Sequence, residues 1–408
     1  MTPSKDVVLE RLYRLAPRGA LLGLERVLAA CAALGHPELR FPSVHVAGTN
    51  GKGSVSAMIA AMATAAGKRV GLYTSPHLAC FNERIQVSGR PLDDAVLVPL
   101  LDDVLVRCPD LTFFETATIA AFLAFANASV DVAILEVGLG GRLDATNVIA
   151  APIVTAITSI ALDHIDRLGA GLAAIAGEKA GILKRGVPVV VGPLREPALG
   201  VVVARARATS SPLLLTESDA DLGAFVARHP PALAGAHQVD NAKVAVALGR
   251  ELGLGEAFLA AGLRQVRWPG RLETLSTPNG LVLLDTAHNH AGALALAAEL
   301  EAMKIDPETT ALVFGSMADK DYEAMLAALA SLARHRTYVT PEGRRAADPS
   351  ALAAIAPGRI ATTALLAIEG ARRAVGPEGL VVVTGSIFLV GEVRARLLGL
   401  DRDPAVAL

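Results

Sequence analysis

The chain has 408 residues, 52% of them hydrophobic, and its 38 Lys and Arg residues nearly balance 40 Asp and Glu residues, for a formal net charge of −2. A chain this long and this apolar can bury substantial cores, which excludes intrinsic disorder and favours two or three domains. The near-zero net charge argues against nucleic acid as the main partner, because a phosphate backbone attracts strongly basic surfaces.

The three cysteines, Cys31, Cys80 and Cys108, are odd in number and far apart in the sequence. They predict neither a disulfide framework nor a cysteine zinc site, and they fit a reducing compartment. The most apolar stretch, residues 116–130, is too short to span a bilayer, and the N-terminal segment lacks the apolar core of a secretory signal. We therefore expect a cytoplasmic protein that does not bind membranes.

Short β-branched segments alternate with longer Ala- and Leu-rich segments along the chain. The first group of predicted strands covers residues 41–48, 68–74, 130–138, 151–159 and 187–192, with a helix over 53–67 after the first strand. The second group covers residues 281–289, 310–316, 336–340 and 380–386. Strands separated by helices favour parallel sheets covered by helices, so we predict an α/β fold with a large and a smaller domain.

A junction between the two groups of strands is predicted at residues 268–280, which carry two prolines and two glycines. Such residues are typical of connections between domains. We expect a first domain over residues 1–269, a linker over 270–279 and a second domain over 280–408.

The segment from Gly48 to Ser54 reads GTNGKGS and lies between a predicted strand and a predicted helix. Glycines allow main-chain N–H groups to wrap around a phosphate, and the helix N-terminus adds favourable partial charge. Lys52 is expected to reach the terminal phosphates of a nucleotide, and the Ser54 hydroxyl is expected to bind a magnesium ion. The spacing departs from GxxxxGK[ST], because Val46 replaces the first glycine and Gly53 is inserted. The alternative is a glycine-rich turn that only caps a helix, and the lysine between glycines favours the phosphate loop.

A second glycine-rich stretch, Gly138 to Arg142, also follows a predicted strand. The dinucleotide fingerprint GxGxxG would need glycine at position 143, which is Leu143. We therefore expect no nicotinamide site here.

Polar residues lie at or after the carboxyl ends of several predicted strands: Glu136 ends one strand, and Ser75, Asp163 and His164 follow others. The carboxyl ends of parallel strands meet at one edge of a sheet, and magnesium prefers oxygen ligands, so these residues are candidates for a metal site. Each one alone could instead cap a helix or order a loop. Lys179 would repel a nearby metal ion, so it either binds an anionic substrate or loses its charge by modification, and the residues alone leave both possibilities open.

Ten motifs together identify a resemblance. They are VAGTNGKGS, YTSPHL, FFET, EVGLGGRLDATN, SIALDHIDRLG, GEKAGILKRG, HQVDNA, PGRLE, DTAHN and GSMADKD. In order and spacing, from about Leu22 to the C-terminus, the chain resembles the folylpolyglutamate synthase and dihydrofolate synthase family within the Mur ligase superfamily. This resemblance implies the Mur ligase architecture, with a large P-loop ATPase-type domain and a smaller Rossmann-like C-terminal glutamate ligase domain.

The resemblance also implies roles for individual residues. The implied ATP-binding residues are Asn50, Gly51, Lys52, Gly53, Ser54, Asn241, Arg271, Asp285 and His288. The implied magnesium ligands, for two sites, are Ser54, Ser75, Glu136, His164 and a carbamylated Lys179. The implied contacts to the pterin substrate are Thr112, Phe113, Phe114, Glu115, Leu143, Asp144 and Ala145. Lys52, His164 and Lys179 are the implied catalytic residues, and carbamylation would turn the Lys179 cation into an anion that a metal accepts.

Two positions depart from the family pattern. Relatives with both activities commonly read Asp-Leu-Gly-Leu in an N-terminal loop, where this chain has Leu21-Leu22-Gly23-Leu24, so an acidic pterin contact is missing. The family stretch AHNPH loses its proline, because His290 follows Asn289, and we expect a slightly different loop there.

The expected activity is ATP-dependent addition of L-glutamate to a folate, to dihydropteroate or to both, through an acyl phosphate. We expect a monomer whose partners are these small molecules. One alternative is a cell-wall precursor ligase, which would need a nucleotide-sugar-binding domain before the phosphate loop, where 47 residues are too few. The other is a nucleotide-dependent switch, which would need a base-reading NKxD motif that the sequence does not contain.

Overall fold

The computed structural model describes residues 3–19, 21, 23–278, 280–343 and 345–404. These residues form two compact units. The first contains the chain up to His77 together with Phe81–Ala232 and Gln238–Arg267, and the second contains Leu78–Cys80, Leu233–His237 and the chain from Trp268 onward. None of the helices in these described ranges has both the length and the apolar character of a membrane span.

The described part of the first unit is built on an eight-stranded sheet. Its strands are β1 (Ser43–Ala47), β2 (Val70–Tyr73), β3 (Ile85–Val87), β4 (Arg90–Pro91), β5 (Val132–Glu136), β6 (Val154–Ile157), β7 (Val189–Val191) and β8 (Leu213–Leu215). They lie in the order β4-β3-β2-β5-β1-β6-β7-β8. The neighbouring strands β2, β5, β1, β6, β7 and β8 pair in parallel. β3 pairs antiparallel with β2 and with β4, so one edge of the sheet is antiparallel. The predicted parallel α/β sheet is confirmed.

The five strands predicted for this sheet are confirmed as β1, β2, β5, β6 and β7, each shorter than its predicted segment. The sequence analysis missed β3, β4 and β8. These strands have only two or three residues, and β4 and β8 are partly or fully exposed, so they lack the continuous apolar run of a buried strand.

Helices precede, connect and follow these strands. They are α1 (Lys5–Tyr13), α2 (Glu25–Ala33), α3 (Lys52–Ala65), α4 (Asp94–Arg107), α5 (Phe113–Asn127), α6 (Ile165–Leu168), α7 (Leu172–Lys179), α8 (Ala198–Ala208), α9 (Ala220–Arg228), α10 (Ala236–Glu251) and α11 (Glu256–Gln265). α3 and α11 pack closely, because a Cβ atom on Gly262 would come within 2.5 Å of Met62. α3 and α5 are buried almost throughout, which matches their high apolar content.

The described part of the second unit is built on a six-stranded sheet. Its strands are β9 (Glu273–Thr277), β10 (Gly280–Leu284), β11 (Thr310–Phe314), β12 (His335–Val339), β13 (Arg359–Ala361) and β14 (Leu380–Thr384), in the order β13-β12-β11-β14-β10-β9. All pairings are parallel except that of β9 with β10. The accompanying helices are α12 (His290–Ala302), α13 (Tyr322–Leu329), α14 (Pro349–Ile355), α15 (Ala364–Val375) and α16 (Ile387–Leu398).

Residues 270–279, for which we expected a linker, contain β9 instead. This strand pairs with β10 over Glu273 to Thr277, and its residues alternate between partly buried and exposed, as expected for an edge strand with one covered face. The prolines and glycines that suggested a linker lie at the two ends of the strand. The domain boundaries at 269 and 280 remain predictions.

Candidate active site

Four neighbouring parallel strands of the first unit end at one edge of the sheet. In spatial order they are β2, β5, β1 and β6. Ser75 follows β2, Glu136 is the last residue of β5, the loop at Gly48 follows β1, and the segment up to His164 follows β6. The sheet topology therefore brings together the polar strand ends that the sequence analysis selected. The carboxyl ends of parallel strands are where α/β proteins bind ligands.

Hydrogen bonds to the segment after β6 hold the glycine-rich loop in place. The main-chain N–H of Thr49 donates to the carbonyl oxygen of Ser159 at 2.7 Å, and the N–H of Asn50 donates to Ser159 Oγ at 3.1 Å. The hydroxyl of Thr158 donates to the Asn50 carbonyl oxygen at 2.6 Å. The loop conformation is thus fixed by protein contacts on one side.

Two glycines of this loop cannot be replaced without strain. Gly48 has φ of 155°, and a Cβ atom there would lie 1.9 Å from Thr158 Oγ1. Gly51 has φ of 85°, and a Cβ atom there would lie 2.3 Å from Oδ1 of Asn241 on α10. Both positions need the freedom of glycine and the space that a missing side chain leaves.

α10 contacts the start of α3 through two amide side chains. Nε2 of Gln238 donates to Oγ of the buried Ser54 at 3.3 Å, and Nδ2 of Asn241 donates to Oε1 of Gln238 at 3.0 Å. Asn241 therefore lies against the phosphate loop, and Gln238 links it to Ser54.

Two lysines donate hydrogen bonds to carbonyl oxygens of the same loop. Nζ of Lys52, the first residue of α3, lies 3.1 Å from the Thr49 oxygen. Nζ of Lys179, the last residue of α7, lies 2.7 Å from the Gly48 oxygen. A loop with glycine main chain, a helix N-terminus and a lysine is suited to hold phosphates.

Lys179 is 5% exposed, so its environment disfavours the charged ammonium form. Burial and, to a lesser degree, the charge of Lys52 lower its pKa, whereas Asp163 and Asp144 act in the opposite direction, and the net result is a pKa of about 7. A substantial fraction of Lys179 is therefore a neutral, nucleophilic amine near neutral pH.

Side-chain oxygens that could bind a metal ion lie at or after the ends of β2, β5 and β6. The Ser75 N–H donates to Oε2 of the buried Glu136 at 3.2 Å, and the His164 N–H donates to Oδ1 of Asp163 at 2.9 Å. Within the described ranges, no three His, Cys, Asp or Glu side chains form a ready-made metal site. The oxygens of Ser75 and Glu136 fit magnesium, whereas an unmodified Lys179 is a hydrogen-bond donor and does not.

The segment Thr112–Glu115 forms the N-terminus of α5 through a capping box. The Thr112 hydroxyl accepts from the Glu115 N–H, and the Glu115 carboxylate accepts from the Thr112 N–H at 2.7 Å. The same carboxylate is paired with Arg26 of α2, at 2.7 Å from Nη2 and 3.2 Å from Nε. Glu115 is thus engaged within the protein, and its expected pterin contact remains a prediction.

The two phenylalanines of this segment differ in exposure. Phe113 is buried, and its ring lies 6.0 Å from that of Phe81. Phe114 is partly exposed, lies 6.0 Å from the Tyr73 ring, and occupies the space beside Gly138, where a Cβ atom would lie 2.4 Å from its Cζ. Phe114 is therefore the one of the two with a face available for an aromatic ligand.

Asp144 orders the loop after β5. One of its oxygens accepts from the N–H groups of Gly138 and Leu139 at 3.0 and 2.9 Å, and the other accepts from the N–H and hydroxyl of Thr146 at 3.0 and 2.5 Å. Thr146 also contacts Nε2 of the buried His45 at 2.8 Å. Burial raises the Asp144 pKa, and these hydrogen bonds oppose that shift. The four contacts fill the carboxylate, so its role here is to shape the loop.

The neighbours of Asp144 differ from it in exposure. Leu143 is partly exposed and Ala145 is buried. Leu143 is therefore the residue of the three that can contact a ligand from this loop.

The remaining ATP candidates belong to the second unit. Asp285 is buried and accepts from the N–H groups of Leu272 and Ala287 at 3.0 and 2.9 Å. Burial raises its pKa, and the charge of Arg271 acts against that rise. His288 donates from Nδ1 to the Thr286 oxygen at 2.9 Å, because a carbonyl oxygen can only accept.

The missing proline at position 290 falls on the first residue of α12. Asn289 caps this helix by accepting from the Gly292 N–H at 2.9 Å. Proline is tolerated at a first helical position but is not required there, so His290 is compatible with the same helix start. The other departure from the family pattern is at residues 21–24, and of these Leu22 lies outside the described residues.

The sequence analysis missed three residues of this region: Gln238, Arg26 and Arg84. Gln238 lies inside the HQVDNA motif, three residues before the selected Asn241, so its position was an available signal. Arg26 and Arg84 are single charged residues whose burial or pairing depends on distant segments, and no local pattern marks them.

Comparisons with known proteins agree on one family. The Mur ligase middle domain matches residues 46–221, and the Mur ligase glutamate ligase domain matches residues 270–387. The chain is 36% identical to folylpolyglutamate synthase of Lacticaseibacillus casei, over 92% of this chain and 94% of that relative.

Solved structures are similar over nearly the whole chain. E. coli FolC in complex with DHPP and ADP superposes with a TM-score of 0.87 at 32% identity, over 96% of this chain and 98% of that one. A bifunctional folylpolyglutamate synthase/dihydrofolate synthase with Mn, AMPPNP and L-glutamate bound gives a TM-score of 0.86 at 31% identity, over 98% of this chain and 100% of that one.

Proposed function

The chain belongs to the folylpolyglutamate synthase and dihydrofolate synthase family of Mur ligases, and we propose which of its residues bind each substrate and which stabilise charge during the reaction. It is an ATP-dependent carbon–nitrogen ligase that adds L-glutamate to a folate or to dihydropteroate. The observation that best supports these roles is the glycine loop between β1 and α3, which the segment after β6 and Asn241 of α10 contact from two sides.

The reaction must make a carboxylate reactive toward an amine. A carboxylate oxygen of the acceptor attacks the γ-phosphorus of ATP, the bond from that phosphorus to its bridging oxygen breaks, and ADP leaves. The glutamate amine then attacks the acyl carbon of the acyl phosphate, the carbon–oxygen bond breaks, phosphate leaves with the acceptor oxygen, and the amine releases a proton to water. Side chains contribute mainly by positioning and by stabilising charge.

We assign the ATP phosphates to Asn50, Gly51, Lys52, Gly53 and Ser54. The support is the helix N-terminus at Lys52 and the hydrogen bonds that fix the loop main chain. Lys52 would stabilise negative charge on the transferring phosphoryl group. Asn241 lies against Gly51, and we assign it to ATP as well, together with Arg271, Asp285 and His288 of the second unit.

Solved relatives hold ADP or ATP analogues and, in two of them, Mn, and we propose that this chain uses ATP with two magnesium sites. Ser54, Ser75, Glu136 and His164 would hold the ions, and their oxygen-rich character supports this choice. A bound magnesium ion would neutralise charge on the phosphates.

We propose that Lys179 is carbamylated. Its neutral amine can attack carbon dioxide, form a nitrogen–carbon bond and lose a proton, which yields a carbamate anion. The burial of Lys179 and its lowered pKa of about 7 support this step, because only the neutral amine reacts. The anion would replace a repulsive cation with a metal ligand.

The acceptor would bind where Thr112–Glu115 meets the loop of Leu143–Ala145. The partly exposed Phe114 beside Gly138 offers an aromatic face, and Leu143 an apolar contact. The filled carboxylate of Asp144 supports a loop-shaping role in place of a direct contact. We further propose that the enzyme acts as a monomer.

The two alternatives are not favoured. The relatives that cover most of this chain are folate enzymes, which opposes a cell-wall precursor ligase. A nucleotide switch would leave the glutamate ligase domain at residues 270–387 without a role.

The purified chain can be tested with ATP, magnesium and L-glutamate, given either tetrahydrofolate or dihydropteroate. Mass spectrometry should show a product one glutamyl residue heavier than at least one acceptor. No mass increase with either acceptor would contradict the proposed function.

A further inference from the structure

Arg84 is a buried cation without a carboxylate partner among the described residues. It is 2% exposed, and its side chain makes one hydrogen bond, from Nε to Nδ1 of His77 at 2.8 Å. Burial is the largest influence on its pKa and lowers it, whereas Tyr73, Tyr13, Glu136 and Glu83 act more weakly in the opposite direction, and neither of these described carboxylates forms an ion pair with Arg84. Proteins rarely bury a charge without a counter-ion, because desolvation disfavours the charged form. The counter-ion of Arg84 is therefore expected to come from a ligand.

The guanidinium group is held so that one end stays free. Its Cζ atom lies 5.6 Å from the ring centre of Phe81 and 5.1 Å from that of Phe113. The two Nη atoms make no hydrogen bond to the described residues. Fully buried polar atoms without a partner occur at His45 Nδ1 and Ser56 Oγ, for example, but not on Arg84, so its Nη atoms retain access to solvent. Two parallel N–H donors of this kind match a carboxylate.

Arg84 also lies at the correct edge of the sheet. Its carbonyl oxygen accepts from the Thr74 N–H at 3.0 Å, directly after β2, and the next residue, Ser75, donates to Glu136. Phosphate groups already have Lys52 and the glycine loop. Phe114, which follows Phe113 in the chain, is partly exposed and can contact an aromatic ligand, so the position of Arg84 favours the aromatic acceptor over ATP.

We propose that Arg84 binds the non-reacting α-carboxylate of the terminal glutamate of a folate acceptor. This inference rests on the proposed function. The reacting carboxylate needs a free oxygen lone pair to attack phosphorus, and a two-point guanidinium contact would withdraw charge from both of its oxygens. Dihydropteroate has a single carboxylate, which must react, so Arg84 selects acceptors that already carry glutamate.

The test compares tetrahydrofolate with its α-carboxamide, which keeps the reacting γ-carboxylate and lacks only the α-carboxylate charge. The wild-type enzyme should use the amide with kcat/KM at least about tenfold lower, because a buried donor pair is left unmatched. Arg84→Gln should use the acid and the amide equally, with an unchanged KM for ATP. The matched control Arg90→Gln changes an exposed arginine of the adjacent strand β4 and should behave as wild type.

Wild-type enzyme that uses the acid and the amide equally would overturn the inference, whether or not an Arg84 variant folds. Arg84→Lys keeps a charge but loses the two-point geometry, and it should retain only part of the discrimination. Full discrimination in a folded Arg84→Gln enzyme would also overturn it. If the wild type forms product from dihydropteroate but not from tetrahydrofolate, this inference alone is overturned. If it forms product from neither acceptor, the proposed function itself fails, which separates the two failures.

Discussion

Nζ of Lys179 donates a 2.7 Å hydrogen bond to the carbonyl oxygen of Gly48, so the end of α7 is tied to the first residue of the glycine loop. The contact lies inside the protein, where Lys179 is 5% exposed. It places an amine with a pKa of about 7 next to the proposed phosphate site. A chemical change at Lys179 would therefore act directly on the loop.

Replacing Lys52 tests the phosphate loop. Lys52→Ala should lower kcat/KM by at least about 100-fold, because a charge that stabilises the transferring phosphoryl group is lost. The thermal midpoint should stay near the wild-type value, since the Lys52 side chain donates only to the Thr49 oxygen among the described residues. Lys68→Ala, just beyond the other end of α3, is the matched control and should keep full activity. Near-normal turnover of a folded Lys52→Ala enzyme would refute the assignment.

Replacing Lys179 tests the proposed carbamate. Lys179→Ala should lose activity by about 100-fold, as expected for loss of a metal ligand or its support. Short carboxylic acids such as acetate should restore part of the activity by supplying the missing carboxylate, and they should not stimulate Lys68→Ala. Full activity of Lys179→Ala without added acid would show that no carbamate is needed.

The pH dependence of reactivation tests the same residue without mutation. With a pKa of about 7, the neutral fraction of Lys179 rises from about one tenth at pH 6 to about nine tenths at pH 8. Enzyme stripped of carbon dioxide should therefore regain activity about ten times faster at pH 8 than at pH 6, at equal dissolved carbon dioxide. Equal reactivation rates at the two pH values would contradict this reading.

His45 should make stability depend on pH. Burial lowers its pKa from 6.5 to about 3, so the folded state keeps it neutral while the unfolded chain takes up a proton. The contribution of His45 is complete above pH 6.5 and is lost as the pH falls toward 3. Between pH 7 and pH 5 the loss should be about 2 kcal/mol of unfolding free energy.

Urea unfolding of wild type and His45→Gln at both pH values measures this contribution. Glutamine retains a side-chain amide for the contact with Thr146 but does not titrate, so its stability should fall less between pH 7 and pH 5. An identical fall in the two proteins would exclude His45 as the source.

Local patterns predicted the elements that bury continuous apolar runs. β1 and β5 are five-residue buried strands, and the glycine loop after β1 carries its own signature. The position of β5 between β2 and β1 could not be predicted from the residues, because strand order depends on contacts between distant segments. β9 was not predicted for a different reason, because prolines and glycines like those at its ends are also typical of a linker.

The site shows the same limit at the level of side chains. Glu136 was selected because it ends a strand, which is a local property. The sequence could not show that the Asp144 carboxylate forms its hydrogen bonds within its own loop. It also could not show that Arg84 is buried beside two aromatic rings. Contacts between segments that are distant in the sequence cannot be predicted from local sequence patterns.

The most direct test of the account follows one oxygen atom from acceptor to phosphate. The purified enzyme is given ATP, magnesium, L-glutamate and tetrahydrofolate whose γ-carboxylate is labelled with ¹⁸O, and both products are analysed by mass spectrometry. The account predicts glutamylated folate together with inorganic phosphate that carries one labelled oxygen, and no phosphate release when the acceptor is omitted. Unlabelled phosphate, or equal ATP hydrolysis without the acceptor, would contradict it.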